Sequence, residues 1–276
     1  MLNKIPELRF ESPVAVRSTF SIELNGENLE IAALHRKSGE NLVFFLHGLG
    51  AVKECFEEAF SSGYLSGYSL LSCDLPGFGE STKSGTFSYS MEDFAEVSRL
   101  LLNRQDYDSL HIVGHSMGGA IGIILAGLLD GRMRSFVNAE GNLIGDDCGL
   151  LSREATRYTL PEFESHGFRK VLAGCSGIEN QGMKKWLEWN QNAYVPGFFH
   201  SARSLIAWSK GDILLERFKA MKFRKLFAYG SHNSDLKVLG LLDGIETAPV
   251  PGSSHAMMID NPEGFYCLLG GFIAEK

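Results

Sequence analysis

The sequence predicts an α/β protein built on a mostly parallel sheet with helices on both faces. Three observations carry this. Residues 41–46 and 110–113 are short runs that are almost wholly apolar, as suits strands covered on both sides. Helix-period stretches such as 91–102 alternate with them, and that alternation marks a parallel, doubly covered sheet. Between residues 110 and 126 an apolar strand passes through Gly114-His115-Ser116-Met117-Gly118 into an apolar helix, a sharp strand-to-helix turn with a serine at its apex.

A chain of 276 residues can bury one good core and a smaller appended layer. Its 44% hydrophobic and 21% charged residues are ordinary for a soluble globular protein. With 33 acids against 26 bases, a formal charge of −7 and no long basic run, it lacks the footprint of a nucleic-acid binder. The first ten residues lack the apolar run of a signal peptide, and no segment approaches the ~18 apolar residues of a membrane span. A cytoplasmic location with no membrane partner is therefore expected. Cys55, Cys73, Cys148, Cys175 and Cys267 are scattered and odd in number. Buried free thiols are expected, with no disulfide framework and no metal site.

Residues 19–24 and 29–35 alternate in polarity around Asn25-Gly26, which predicts an antiparallel hairpin at a sheet edge. The strand at 41–46 runs into His47-Gly48-Leu49-Gly50. Gly48 lets the backbone approach a reacting centre so that Leu49 N–H can point into it, although a plain strand-ending turn reads the same way. A helix over 53–62 and a strand over 68–73 follow, then the Pro/Gly loop 74–81. Ser90 is placed to cap the helix at 91–102.

At the serine turn, Gly114 and Gly118 occupy positions where a larger side chain would collide, and Met117 N–H would face a developing oxyanion. A further strand at 135–139 ends in Glu140-Gly141-Asn142. Near the C-terminus a strand at 224–230, a helix at 235–242 and a last strand at 245–250 are predicted.

The ordered set His47-Gly48, Asp74-Leu75-Pro76-Gly77-Phe78-Gly79-Glu80-Ser81 and Gly114-His115-Ser116-Met117-Gly118-Gly119-Ala120 resembles the α/β-hydrolase fold superfamily, in its serine-nucleophile branch with a helical cap. The resemblance runs over residues 20–142 and resumes near 223. It implies about eight strands, mostly parallel and flanked by helices, with the cap inserted after the sixth. It also implies a nucleophile, an acid and a histidine supplied in that order. Residues 251–265 resemble the family's histidine loop, which makes His255 the base. His47 and His115 are expected to be structural, with His232 an outside candidate.

The family's acid usually follows the seventh strand as Gly-x-x-Asp, but here the run is Gly230-Ser231-His232-Asn233. An amide cannot carry the charge that stabilises an imidazolium. Either the acid has moved to Glu140 at the end of the sixth strand, the favoured expectation, or it has shifted to Asp235, or it is missing.

From 143 to 222 the alternation stops, and residues 152–159, 163–172, 183–192 and 202–218 carry helical spacing between Pro161, Gly174, Gly177 and Pro196-Gly197. The expected organisation is a core of 1–142 with 223–276 and a helical cap of 143–222. Trp186, Trp189 and Phe199 of that cap either border an apolar substrate pocket or pack the cap onto the core.

The function this implies is a cofactor-independent serine hydrolase, a carboxylesterase-like enzyme acting on a small ester, thioester, lactone or related acyl compound through an acyl-enzyme. Ser116, His255 and Glu140 would form its triad, and Leu49 and Met117 its oxyanion hole. Its partner would be a small-molecule acyl substrate, and the chain a monomer or homodimer. Alternatives are an N-terminal-residue peptidase, a carbon–carbon bond hydrolase or lyase, and a non-catalytic ligand-binding relative.

Overall fold

The computed structural model describes residues 15–129 and 131–274; the first ten residues, expected to carry no leader run, lie outside them. Eight strands form one sheet: β1 (Val16–Leu24), β2 (Glu27–Arg36), β3 (Asn41–Leu46), β4 (Ser69–Cys73), β5 (Ser109–His115), β6 (Met133–Ala139), β7 (Arg224–Gly230) and β8 (Glu246–Val250), in the spatial order β1-β2-β4-β3-β5-β6-β7-β8. The β1–β2 and β2–β4 pairs are antiparallel and the rest parallel. The expected edge hairpin and central strands are thus present. The hairpin turns at Asn25 and Gly26, both with positive φ.

Strand pleat divides the core into two layers. In β3, Leu42, Phe44 and Leu46 face one side, with α1 (Met91–Leu102) and α2 (Met117–Ala126) against them. Val43 and Phe45 face the other, under α9 (Met257–Asp260) and α10 (Pro262–Ala274). Phe44, Phe45 and Phe136 are all fully buried, each contributing on the order of 1.5–3 kcal/mol. Ser90 caps α1 as expected, its side chain accepting from Asp93 N–H at 3.1 Å.

Between β6 and β7 lie α3 (Leu150–Ala155), α4 (Leu160–Glu162), a π-helical turn (Phe163–Gly167), α5 (Phe168–Cys175), α6 (Gln181–Trp189), α7 (Val195–Ser209) and α8 (Ile213–Ala220). Three expectations are corrected here. Pro196 and Gly197 open α7 instead of separating helices, because proline suits the first turn, where its missing N–H has no partner to lose. The helix expected over 202–218 is two, broken at Gly211 with φ +76°. The helix expected over 235–242 is only a 3-10 turn (Lys237–Leu241), entered from an extended Leu236 and carrying Gly240.

The segment expected to be helical from 53 is likewise 3-10 (Lys53–Phe60), kinked at Phe56. Its first residue is tethered to the buried Asp74, which accepts from Lys53 N–H at 2.7 Å and from Nζ at 2.9 Å. Four cysteines are buried free thiols, but Cys267 lies on the exposed side of α10. Among the described residues no helix is long and apolar enough to cross a membrane.

The parallel register decides where chemistry can occur. Leu46 pairs with Gly114, His115 with Ala139, Ala139 with Ala228 and Gly230 with Val250. The loops that leave these strand ends, carrying Gly48, Ser116, Glu140, Asn233 and His255, therefore open on one edge of the sheet. An open parallel sheet binds its ligands at this edge.

Candidate active site

Ser116 sits between β5 and α2 with φ 52° and ψ −120°, in a region that side-chain-bearing residues rarely adopt. The turn is held by Ser116 N–H to Ala139 O at 3.1 Å and Gly119 N–H to Ser116 O at 2.8 Å. A Cβ on Gly114 would collide with the backbone of Gly118, and one on Gly118 with the backbone of Leu46 and His47. The sequence pattern thus has the steric cause expected of it. Met117 N–H, at the first position of α2, is one of the amides a helix start leaves without an internal partner.

Glu140 follows β6, also at positive φ (45°). Its N–H bonds Ala228 O at 2.9 Å, and Asn138 Oδ1 takes the next N–H, that of Gly141. The carboxylate is buried. It accepts from Gly230 N–H (2.8 Å) and from Asn233 Nδ2 (2.9 and 3.0 Å), and His255 Nδ1 donates to its Oε2 at 2.7 Å. Burial pushes the carboxyl pKa up, but the imidazole, the Asn233 amide and Gly230 N–H outweigh it, and the net position is below the ordinary value. Desolvation lowers the pKa of His255, whose side chain is half exposed, but the hydrogen bond and charge of Glu140 outweigh it, and the pKa ends above the ordinary value. With Nδ1 donating, Nε2 is left as the proton acceptor.

The structure brings Glu140 against His255, while Asp235 is exposed on the loop beyond. His232 is also exposed, bonded through Nδ1 to Ser254 Oγ at 3.3 Å. His115 Nε2 donates to the backbone carbonyl of His255 at 3.0 Å, and burial holds its pKa down at about 3, so it is a neutral strut for the histidine loop. His47 is fully buried. Its Nε2 accepts from Leu75 N–H (3.0 Å) and its Nδ1 meets Gly48 O (2.8 Å), which defines a neutral ring with the proton on Nδ1.

Ser116, His255 and Glu140 line one cavity of about 410 Å³ together with Leu49, Trp186 and Trp189. Leu49 N–H has no hydrogen-bond partner among the described residues. Phe199 lies away from this cavity, 2% exposed and packed on Phe163 in the interior of the insert. Trp186, besides lining the cavity, donates from its indole to Leu49 O at 2.9 Å. In the sequence Asn233 stands out only as a departure from Gly-x-x-Asp, although an amide donor at the acid's usual place is a usable signal, and Asn190 carries no local signal. Among the described residues no cluster of three or more His, Cys, Asp or Glu is arranged to hold a metal ion.

A family model described as α/β hydrolase fold matches residues 41–165. The chain has the α/β-hydrolase fold. It is 33% identical over 129 residues to Lipase 1 of Psychrobacter immobilis, a match spanning 41% of this chain and 40% of the lipase, so less than half of that relative's length is covered. Among solved structures it resembles a thermophilic esterase from Thermogutta terrifontis (TM-score 0.76, 16% identity, 94% of this chain and 98% of that one). It also resembles an esterase from Exiguobacterium antarcticum (TM-score 0.72, 18% identity, 90% and 97%).

Proposed function

We propose that the protein is a cofactor-independent serine hydrolase that cleaves small neutral esters or related acyl compounds through an acyl-enzyme. The observation that carries the reading is the 2.7 Å bond from His255 Nδ1 to the buried Glu140, at a cavity that the strained Ser116 also lines. The lipase and esterases that the chain resembles support the ester class.

In this mechanism His255 Nε2 takes the Ser116 Oγ proton as the oxygen attacks the substrate carbonyl. The C–O π pair moves onto oxygen, where Leu49 N–H and Met117 N–H receive it. Collapse expels the alcohol, protonated by the imidazolium, and water activated by the same nitrogen releases the acid. Glu140 keeps the imidazole in its tautomer and stabilises its positive form without taking the proton. Ser116 being a hydroxyl and not a carboxylate, the intermediate is an acyl ester.

Residues 143–222 serve as the cap, closing the cavity from above the strand ends. Among the described residues no Lys or Arg lines that cavity, whereas Asp146 and Asp147 do. Asp147 is engaged by Leu143 and Ile144 N–H, and Asp146 faces Lys237 at 3.3 Å. An acyl chain bearing its own carboxylate would face Glu140, Asp146 and Asp147 with no fixed cation to pair it, so neutral acyl groups are preferred. Glu162, Glu164 and Glu188, the cap acids that a peptidase would need, do not line it.

The test is a comparison of p-nitrophenyl butyrate with p-nitrophenyl hemisuccinate, which are similar in length and differ in charge. Hydrolysis of the butyrate with kcat/KM at least about tenfold higher, roughly 1.4 kcal/mol in the barrier, is expected. No turnover of either, or preference for the anionic ester, contradicts the reading.

A further inference from the structure

The loop that would carry the oxyanion donor Leu49 is held from two independent parts of the chain. From the core side, His47 Nδ1 donates to Gly48 O at 2.8 Å and Ala51 N–H to the same oxygen at 3.1 Å. Gly48 O and Leu49 N–H belong to one planar peptide unit, so fixing the oxygen aims the N–H the opposite way. From the insert side, one helix and the turn after it reach the next two carbonyls. Trp186 Nε1 donates to Leu49 O at 2.9 Å, and Asn190 Nδ2 donates to Gly50 O at 2.6 Å and to Trp186 O at 2.7 Å.

Both side chains are nearly sealed from solvent, Trp186 at 7% and Asn190 at 2% exposure. Gly50, at φ +72°, permits the approach: a Cβ there would stand 2.7 Å from Trp186 Nε1 and 2.9 Å from Asn190 Oδ1. Buried carbonyls in a turn with no strand partner need donors of this kind.

We propose that Trp186 and Asn190 are positioning residues for the oxyanion site: they fix the two peptide units that follow Leu49, while His47 and Ala51 N–H hold the one that carries its N–H, so docking of the insert locks the turn on the far side of the donor and supports stabilisation of the oxyanion. This rests on the serine-hydrolase reading. It also gives Trp186 a part beyond walling the cavity, since its ring faces the substrate space while its N–H acts on the backbone behind it. A donor aimed at the tetrahedral oxygen acts in the transition state and little in the ground state, so misaiming it lowers kcat and leaves KM.

The experiment uses the full chain and three variants: W186F, N190L, and the benzothiophene isostere of tryptophan at position 186, which keeps the ring shape and lacks the N–H. Turnover of p-nitrophenyl butyrate, the pH–rate profile and inhibition by butylboronic acid, whose serine adduct is tetrahedral, are measured for each. The expected result is an about tenfold fall in kcat, a fraction of the 10²–10³ lost when an oxyanion donor is removed outright. In N190L and the isostere, which keep the cavity wall, KM stays within twofold, the boronate Ki rises in parallel with the loss, and the inflection of the pH profile stays in place. A kcat within twofold of wild type in the isostere, or a kcat loss with unchanged boronate Ki, overturns the proposal. A wild-type protein that neither turns over the ester nor binds the boronate overturns the serine-hydrolase reading itself, and this inference with it.

Discussion

The side-chain amide of Asn233 donates to both carboxylate oxygens of Glu140, at 2.9 and 3.0 Å, from the position where the family resemblance leads one to expect the acid itself. Here the end of β6 supplies the charge and the loop after β7 the amide donor, an exchange relative to the Gly-x-x-Asp pattern that the resemblance implies. Both groups converge beside His255, because β6 and β7 are adjacent and in register at Ala139 and Ala228.

In the proposed mechanism Glu140→Gln removes the charge that would stabilise the imidazolium, and it is expected to lower kcat by about 10³–10⁴. Adding Asn233→Asp to that variant returns a carboxylate to the neighbouring loop and should recover at least tenfold. Steady-state kinetics on the single and double variants check this, and a double variant no faster than Glu140→Gln contradicts the exchange.

In the wild-type background Asn233→Asp has the opposite effect. Two carboxylates in contact cannot both ionise freely, so the pair holds a proton to higher pH. Activity at pH 6 should fall at least tenfold and recover partly toward pH 8. A pH–rate profile that superposes on wild type contradicts the direct Asn233–Glu140 contact.

In the proposed mechanism His255 acts as neutral imidazole, and Glu140 holds its pKa above 6.5. The value of kcat/KM should therefore rise with pH through an inflection above 6.5, and Glu140→Gln should move that inflection down. For stability the signs differ. His255, raised on folding, contributes below pH 6.5 and loses that contribution as pH rises through its folded pKa. Glu140, depressed on folding, contributes above pH 4.5 and loses that contribution as pH falls through its folded pKa. Thermal unfolding of wild type and Glu140→Gln against pH should thus differ most between these limits.

Asp235 is exposed, and Asp235→Asn should leave kcat/KM within twofold of wild type. An inactive Asp235→Asn protein would return the acid to the seventh loop.

At the serine turn the prediction concerns stability. Gly114→Ala drives a methyl group into the backbone of Gly118, with no flexible side chain to yield, and should cost about 1–3 kcal/mol or more in urea unfolding. A midpoint equal to wild type contradicts the packing described for the turn.

The legible parts of the sequence were those set by local sterics and periodicity. Gly114, Ser116 and Gly118 were readable because few residues tolerate that turn, and β3 and β7 because an apolar run with definite ends admits little else. Asn233 was visible only as an anomaly, since what an amide bonds depends on strand order and register, which no local pattern encodes. For the aromatic residues of the insert, helical spacing alone could not tell Phe199, packed inside it, from Trp189, which lines the cavity. The break at Gly211 lay in a stretch whose apolar spacing continued across it, so the left-handed residue was masked by the pattern around it.

That Ser116 is the nucleophile is tested most directly by intact and peptide mass spectrometry after treatment with a fluorophosphonate, paired with ester turnover of Ser116→Ala. One adduct per chain is predicted, on the peptide containing Ser116 and absent from Ser116→Ala, whose kcat/KM should fall by at least about 10³. A Ser116→Ala protein that hydrolyses the ester at the wild-type rate, or an adduct on any other residue, would contradict it.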